Sequence, residues 1–183
     1  ARRASAARDA ILGPYADDGR IRGGNDDDGG SDNGVKGKMK IDNENYNLKS
    51  GTIESYGESD DGNTYNFDIE LFSEDISSIN DESSLTDVNI SSVYFELWSD
   101  SASKLTDGNY SYDSDYTQDA FTFSDSEIGL NYNFFSEDGT YYEINSGEIE
   151  ISKNGSTYEI TFEGTTSEGK DISVNYKVTL TAY

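Results

Sequence analysis

The chain has 183 residues, 37 acidic against 13 basic, for a formal net charge of −24, and it contains neither His nor Cys. That balance excludes duplex DNA, RNA and anionic membrane surfaces as partners, because phosphate binding needs clustered Lys or Arg. The missing residue types exclude the Ser-His-Asp triad, the Cys-His dyad, disulfides and zinc sites built from imidazole or thiolate.

All five Arg (Arg2, Arg3, Arg8, Arg20, Arg22) stand at or before position 22, and every later basic residue is Lys. Residues 1–24 therefore read as a leader, tag or non-globular arm outside the fold, with an arm that docks on a partner as the rival reading. The Ala/Arg-rich start has the composition of a short helix, which is marginal in water alone. Residues 25–34, NDDDGGSDNG, combine Gly with like charges and read as an acidic flexible tether.

From Val35 the apolar pattern takes a period of two, the mark of strands with one buried face. Tyr65, Phe67, Ile69 and Leu71 alternate with Asn66, Asp68 and Glu70, and Val93, Phe95 and Leu97 alternate with Tyr94, Glu96 and Trp98. Phe121 and Phe123, and then Ile128, Leu130, Tyr132 and Phe134, repeat the rule. Turn-forming clusters separate them at Asp60-Asp61-Gly62-Asn63, Asp107-Gly108-Asn109 and Glu137-Asp138-Gly139. The segment from Ile76 to Leu85 is the weakest strand candidate and reads as a loop or a single helical turn.

A two-residue type I′ turn centred on Asn154-Gly155 predicts Lys153 opposite Ser156, Ile151 opposite Tyr158 and Ile149 opposite Ile160. Ile172, Val174, Tyr176, Val178 and Leu180 then complete a three-strand meander from Glu148 onward. The pattern Y-x-[LI]-x-S-G-x-I-E occurs from Tyr46 to Glu54 and again from Tyr142 to Glu150. Apolar parity reverses across the Gly in both, which predicts a β-bulge or sharp bend at Gly51 and Gly147. Residues 35–183 are thus expected to form one all-β antiparallel domain of nine to eleven strands, a β-sandwich with a flattened β-barrel as the alternative. No apolar run approaches the roughly 20 residues that a bilayer-spanning helix needs.

Two constellations carry chemistry. Tyr94 and Trp98 face away from Val93, Phe95 and Leu97, and with Tyr112 and Tyr116, and Tyr141 beyond them, they offer planar rings with polar tips for a glycan or a protein partner. The competing reading is that Tyr94 and Trp98 fill a second packed layer. Asp113, Asp115 and Asp119 place oxygen at positions 1, 3 and 7 of a calcium-type loop, but Gln118 stands where Gly is needed and Ser124 where Glu is needed. A weakly bound Ca²⁺ and a solvated acidic turn are the two readings of that run, and no other cofactor is expected. Carboxylate pairs alone remain for catalysis, so the chain reads as no enzyme.

The run from Met39 through Tyr46 to Leu48, then Ser50-Gly-Thr-Ile53, Tyr65-Asn-Phe-Asp-Ile69 and Asn154-Gly-Ser-Thr-Tyr-Glu-Ile-Thr-Phe162, resembles the small all-β surface lipoproteins of Bacteroidota. Residues 25–34 are similar to the acidic tether that follows the lipidated Cys of such proteins, although no Cys precedes it here. The resemblance implies a location at the cell surface, on the outer-membrane exterior, or outside the cell. The tether, the acidity and the outward aromatics make a non-enzymatic binding or accessory module for a glycan or an outer-membrane protein the expected role. The alternative is a structural subunit of a surface appendage or filament using residues 1–24 as an interaction arm.

Overall fold

The strands the alternation marks are present in the computed structural model, which describes residues 35–182 except 60–61, 77–87, 134–135 and 137, but the runs at Phe123 and at Ile128 to Tyr132 are one strand, and Phe121, with φ 63°, lies in the turn before it. The readings of residues 1–24 and 25–34 lie outside these residues, as do those of Asp60, Asp61, Phe134 and Glu137 and all of the weak-strand segment beyond Ile76. Eleven strands run in chain order: β1 (Gly37–Ile41), β2 (Glu44–Leu48), β3 (Ser50–Glu58), β4 (Tyr65–Phe72), β5 (Asn89–Ser99) and β6 (Gly108–Tyr112). They continue as β7 (Thr122–Asn133), β8 (Thr140–Asn154), β9 (Thr157–Thr166), β10 (Asp171–Thr179) and β11 (Thr181–Ala182). The fold is all-β. Its strands form one sheet in the order β11-β3-β4-β5-β7-β6-β8-β9-β10-β1-β2, antiparallel except at β6–β7 and β11–β3.

That sheet curls into a half-barrel, so the two packed layers are the two arms of one sheet. The contact that proves the curl is between β5 and β9, which do not neighbour each other in the sheet order. Phe95 and Phe162 nevertheless meet edge-on at 5.2 Å, and Phe123 packs on Phe162 at 5.8 Å. These offset ring geometries are the favourable ones for aromatic pairs. Around them lie Ile69, Leu71, Val93, Leu97, Ile149, Ile160, Val174 and Met39, all buried, which is the odd-or-even set each strand's alternation selects.

β2 and β3 are one strand with a corner. β2 pairs with β1 and β3 pairs with β4, and at Lys49 between them the backbone N–H donates to Phe72 O at 2.8 Å. The parity reversal seen in the sequence is made at this corner, two residues before Gly51. Gly51 itself stays in register, and what it supplies is room: a Cβ there would sit 2.7 Å from Leu71 and 2.8 Å from Leu180. A bulge in β3 falls instead between Ser55 and Gly57. In β8 the bulge lies between Ile144 and Ser146, immediately before Gly147, as the sequence pattern requires.

The β8–β9 hairpin corrects the predicted register by two residues. Asn154 pairs with Thr157, Ile151 with Ile160 and Ile149 with Phe162. Gly155 and Ser156 occupy the turn, and Gly155 has φ 61° while Ser156 stays out of the left-handed region. That is the type II′ choice, with Gly first, in place of a type I′ turn on Asn154-Gly155. A shift of two keeps every side chain on its face, so the core is unchanged.

Gly147 and Gly164 face each other across β8 and β9, and the Phe162 ring lies over both. A Cβ on Gly164 would stand 2.2 Å from Ser146 O and 2.5 Å from Phe162 Cζ. Gly164→Ala is therefore expected to cost about 1–3 kcal/mol through overpacking. Urea denaturation measures it, and an unchanged midpoint would mean that the two strands separate freely at this point.

Candidate functional site

The outer face of β3, β4 and β5 carries the residues that the alternation turns away from the core. In register, Glu54 of β3 lies opposite Asp68 of β4, and Asp68 lies opposite Glu96 of β5. Three carboxyl groups thus form a row across adjacent strands about 4.8 Å apart. Like charges placed directly opposite one another are destabilising, and no Lys or Arg occurs in β3, β4, β5 or β7 to offset them.

Each carboxyl group in the row instead accepts a tyrosine hydroxyl. Tyr56 donates to Glu54 at 2.9 Å, Tyr94 donates a short hydrogen bond to Asp68, and Tyr116 donates to Glu96 at 3.1 Å. Ser124 Oγ donates to the other Glu96 oxygen at 3.0 Å, and Asn66 Nδ2 donates to Asp68 at 3.2 Å. Trp98 extends the row. Its ring meets Tyr116 edge-on at 6.2 Å and its indole N–H donates to Ser124 Oγ at 3.4 Å. Tyr56 is 56% exposed and Tyr116 47% exposed, so two of the rings stand in solvent.

Tyr116 reaches the sheet from a constrained loop. Tyr116, Gln118 and Phe121 have φ of 54°, 62° and 63°, a left-handed conformation costing an L-residue about 1–2 kcal/mol each. Asp113 holds the loop: its carboxylate accepts from Asp115 N, Thr117 N and Thr117 Oγ1. Thr64 Oγ1 donates to Gln118 O at 2.7 Å and Phe121 N to Trp98 O at 2.8 Å, fixing the far end to the sheet. Slight burial works to raise the Asp113 pKa, and the hydrogen bonds from Thr117, Asp115 and Tyr116 outweigh it and hold the carboxyl low. Asp113 thus spends its oxygens on its own loop. Among the described residues no three acidic groups converge as a cation would require, and Asp113, Asp115 and Asp119 form no such group.

Next to the row, one further carboxyl group is sealed from water. Glu70, 7% exposed, accepts from Ser92 Oγ at 2.9 Å, and Ser92 in turn contacts the Tyr132 hydroxyl at 3.4 Å. Phe72, Ile76, Ile90 and Tyr132 make a small second apolar cluster next to it, with Val88 packed on its edge. Loss of solvation raises Glu70 to about 8 and, despite the Tyr94 hydrogen bond, raises Asp68 to about 7, with Glu96 and Glu54 adding repulsion. Burial, then the charge and hydrogen bond of Asp68, push Tyr94 far above the usual phenol range.

Of the aromatic residues singled out in the sequence, Tyr94, Trp98 and Tyr116 come together. Tyr112 packs its ring on Phe123 at 5.5 Å, against the main core, and with Tyr116 and Ser124 it lines a small pocket of about 190 Å³ beside them. Tyr141 leans on Tyr132 at 5.8 Å, by the second cluster. Trp98 is 5% exposed and fills a packed layer, while the Tyr116 ring stands half exposed above it. Alternation had not marked Tyr56, Glu54, Asp68 and Glu96 as a site, because the row exists only once β3, β4 and β5 are in register.

A second surface feature is a shallow groove of about 630 Å³ across β1, β2, β8, β9 and β10, where Lys38 and Lys40 stand with Asn45, Glu150, Thr161 and Asn175. None of the exposed rings lines it. Comparison with family models, with curated proteins and with solved structures gives no match.

Proposed function

We propose that the chain is a non-enzymatic binding or accessory module of the cell surface or the extracellular space, and that the outer face of β3, β4 and β5 holds its partner, a glycan or an outer-membrane protein. The observation that carries this reading is the set of tyrosine hydroxyls clamped on a row of carboxyl groups beside Trp98. Rings held at fixed angles by hydrogen bonds lose little entropy on binding, and sugar faces and protein surfaces both use flat rings with polar edges. Glu70, closed off from any substrate, is not read as a catalytic group. The surface location rests on the resemblance and on the acidic tether. No helix among the described residues is long and apolar enough to cross a membrane.

A glycan array followed by affinity electrophoresis tests the reading with Tyr116→Ala and Tyr94→Ala. Loss of an anchoring ring at the centre of an interface is expected to weaken binding by at least about tenfold, with Tyr116→Ala leaving the melting temperature nearly unchanged because its ring is half exposed. Binding retained by both variants would remove this face from the function. The alternative, a subunit of an appendage or filament with residues 1–24 as the interaction arm, draws its support from the confinement of every Arg to positions 2 to 22.

A further inference from the structure

We infer that the groove across β1, β2, β8, β9 and β10 binds a short acidic saccharide, a hydroxyl-rich chain with one or two carboxylates turned toward β1. Lys38 and Lys40 project from the same face of β1, about 7 Å apart. Most lysines elsewhere in the domain are engaged: Lys49, Lys170 and Lys177 are ion-paired, and Lys153 donates to the Tyr158 hydroxyl. Among the described residues none forms an ion pair or a hydrogen bond with the Lys38 or Lys40 ammonium. The register explains why. Lys38 stands between Asn47 of β2 and Asn175 of β10, and Lys40 between Asn45 and Ser173. Both neighbours of each cation are neutral, and the first acids along these two rows are Glu163, two strands from Lys40, and Glu150, three strands from Lys38. At about 4.8 Å per strand, those acids lie about 10 Å and 14 Å away. Two cations left unpaired side by side in a chain of net charge −24 select an anionic group.

The rest of the groove selects hydroxyls. Between the lysines and the glutamates the floor is short and polar, made of Ser173, Asn175 and Thr161, side chains that both donate and accept. Glu150 and Glu163 on the far wall accept only, which suits the O–H groups of a sugar. The lysines and the floor lie on β1, β9 and β10, each paired on both sides, so a peptide finds no strand edge there to extend. The groove, about 630 Å³, is of the size of small-ligand sites, roughly 300–1,000 Å³. It continues past Lys40, Ser173 and Glu163 into a hollow of about 620 Å³ beside Asp42 and Asp171, which gives it length for more than one sugar unit. The net charge of the chain opposes a long polyanion and limits the ligand to few carboxylates.

Isothermal titration calorimetry of the full chain with sialyllactose and with trigalacturonate tests the inference, beside lactose and the methyl ester of trigalacturonate as their uncharged counterparts. At least one acidic saccharide is expected to bind, at least about tenfold more tightly than its counterpart and less tightly as NaCl is raised. A Lys38→Gln, Lys40→Gln double variant changes only exposed side chains and should melt with the unaltered chain. It should lose at least about tenfold in that affinity. Tyr116→Ala should bind the saccharide as the unaltered chain does, because no residue of the tyrosine–carboxylate face lines the groove. Failure of this site and failure of that face are thus read separately. Binding of neither acidic saccharide, or binding that the double variant retains, would overturn the inference. So would tighter binding of hexaglutamate than of either saccharide, which would make the occupant an acidic peptide.

Discussion

Phe162→Ala is expected to lower the stability of the domain by about 3–5 kcal/mol, the range for removing a fully buried aromatic ring. Phe162 is 1% exposed and holds three separate contacts at once: Phe95 at 5.2 Å, Phe123 at 5.8 Å, and the opposed glycines Gly147 and Gly164 beneath it. The glycines cannot close over the space, because they have no side chains to move into it. The cavity therefore persists, which places the cost toward the upper end of the range. Guanidinium denaturation measures it. A loss of less than half the lower bound of that range would mean that the arms of the sheet collapse onto each other, and that the cross-sheet ring cluster is not what sets their spacing. Phe162→Leu, which refills most of the volume, should recover more than half of the loss.

The second large effect is a pH dependence with a definite sign. Glu70 titrates near 4.5 when unfolded and at about 8 in the fold, because burial penalises its charged form. An acid whose folded pKa is raised favours the fold fully below its unfolded pKa, and that contribution is lost as pH rises through the folded value. Stability should fall between about pH 5 and pH 9, with Asp68, raised to about 7, falling first. At about 1.4 kcal/mol per unit, and allowing for relaxation of the site, the Glu70 share is on the order of 3 kcal/mol, or about 6–12 °C in melting temperature for a chain of this length. Glu70→Gln keeps the shape and the Ser92 hydrogen bond and cannot ionise. It should melt with the unaltered protein at pH 5 and, by the same conversion, about 6–12 °C above it at pH 9. A variant that melts below the unaltered protein at pH 9 would refute the sealed environment of Glu70.

How far the sequence discloses this molecule differs between its levels. Strand identity was legible because the core residues, such as Phe67, Ile69 and Leu71, recur at a spacing of two with polar partners between them. The bulge before Gly147 was legible for the same reason, since parity cannot reverse within a buried strand without an extra residue. The β8–β9 register was not, because Asn154-Gly155 and Gly155-Ser156 both satisfy a two-residue turn and both keep the same face inward. Which two residues turn is decided by pairing energies along ten residue pairs, among them Ile151 with Ile160 and Ile149 with Phe162.

The site was legible only as single residues. Alternation alone turned Tyr94 and Trp98 outward, but Tyr94 finds Asp68 on a neighbouring strand and Tyr116 finds Glu96 from a loop 20 positions away. Such contacts follow from strand order, on which local spacing is silent. Tyr112 shows the opposite limit. Its neighbours in sequence suggest a surface loop, and the parallel pairing of Tyr112 with Phe123 turns its ring toward the interior.

The closing pairs of the sheet carry a kinetic consequence. β1 meets β10 by joining position 37 to position 176, and β11 meets β3 by joining position 181 to position 52. Nearly the whole chain must be looped before either seam forms, and entropy opposes that step before any contact rewards it. A domain with so high a contact order is a slow folder, on the millisecond-to-second scale, and one edge each of β1 and β3 waits without a partner until β10 and β11 arrive.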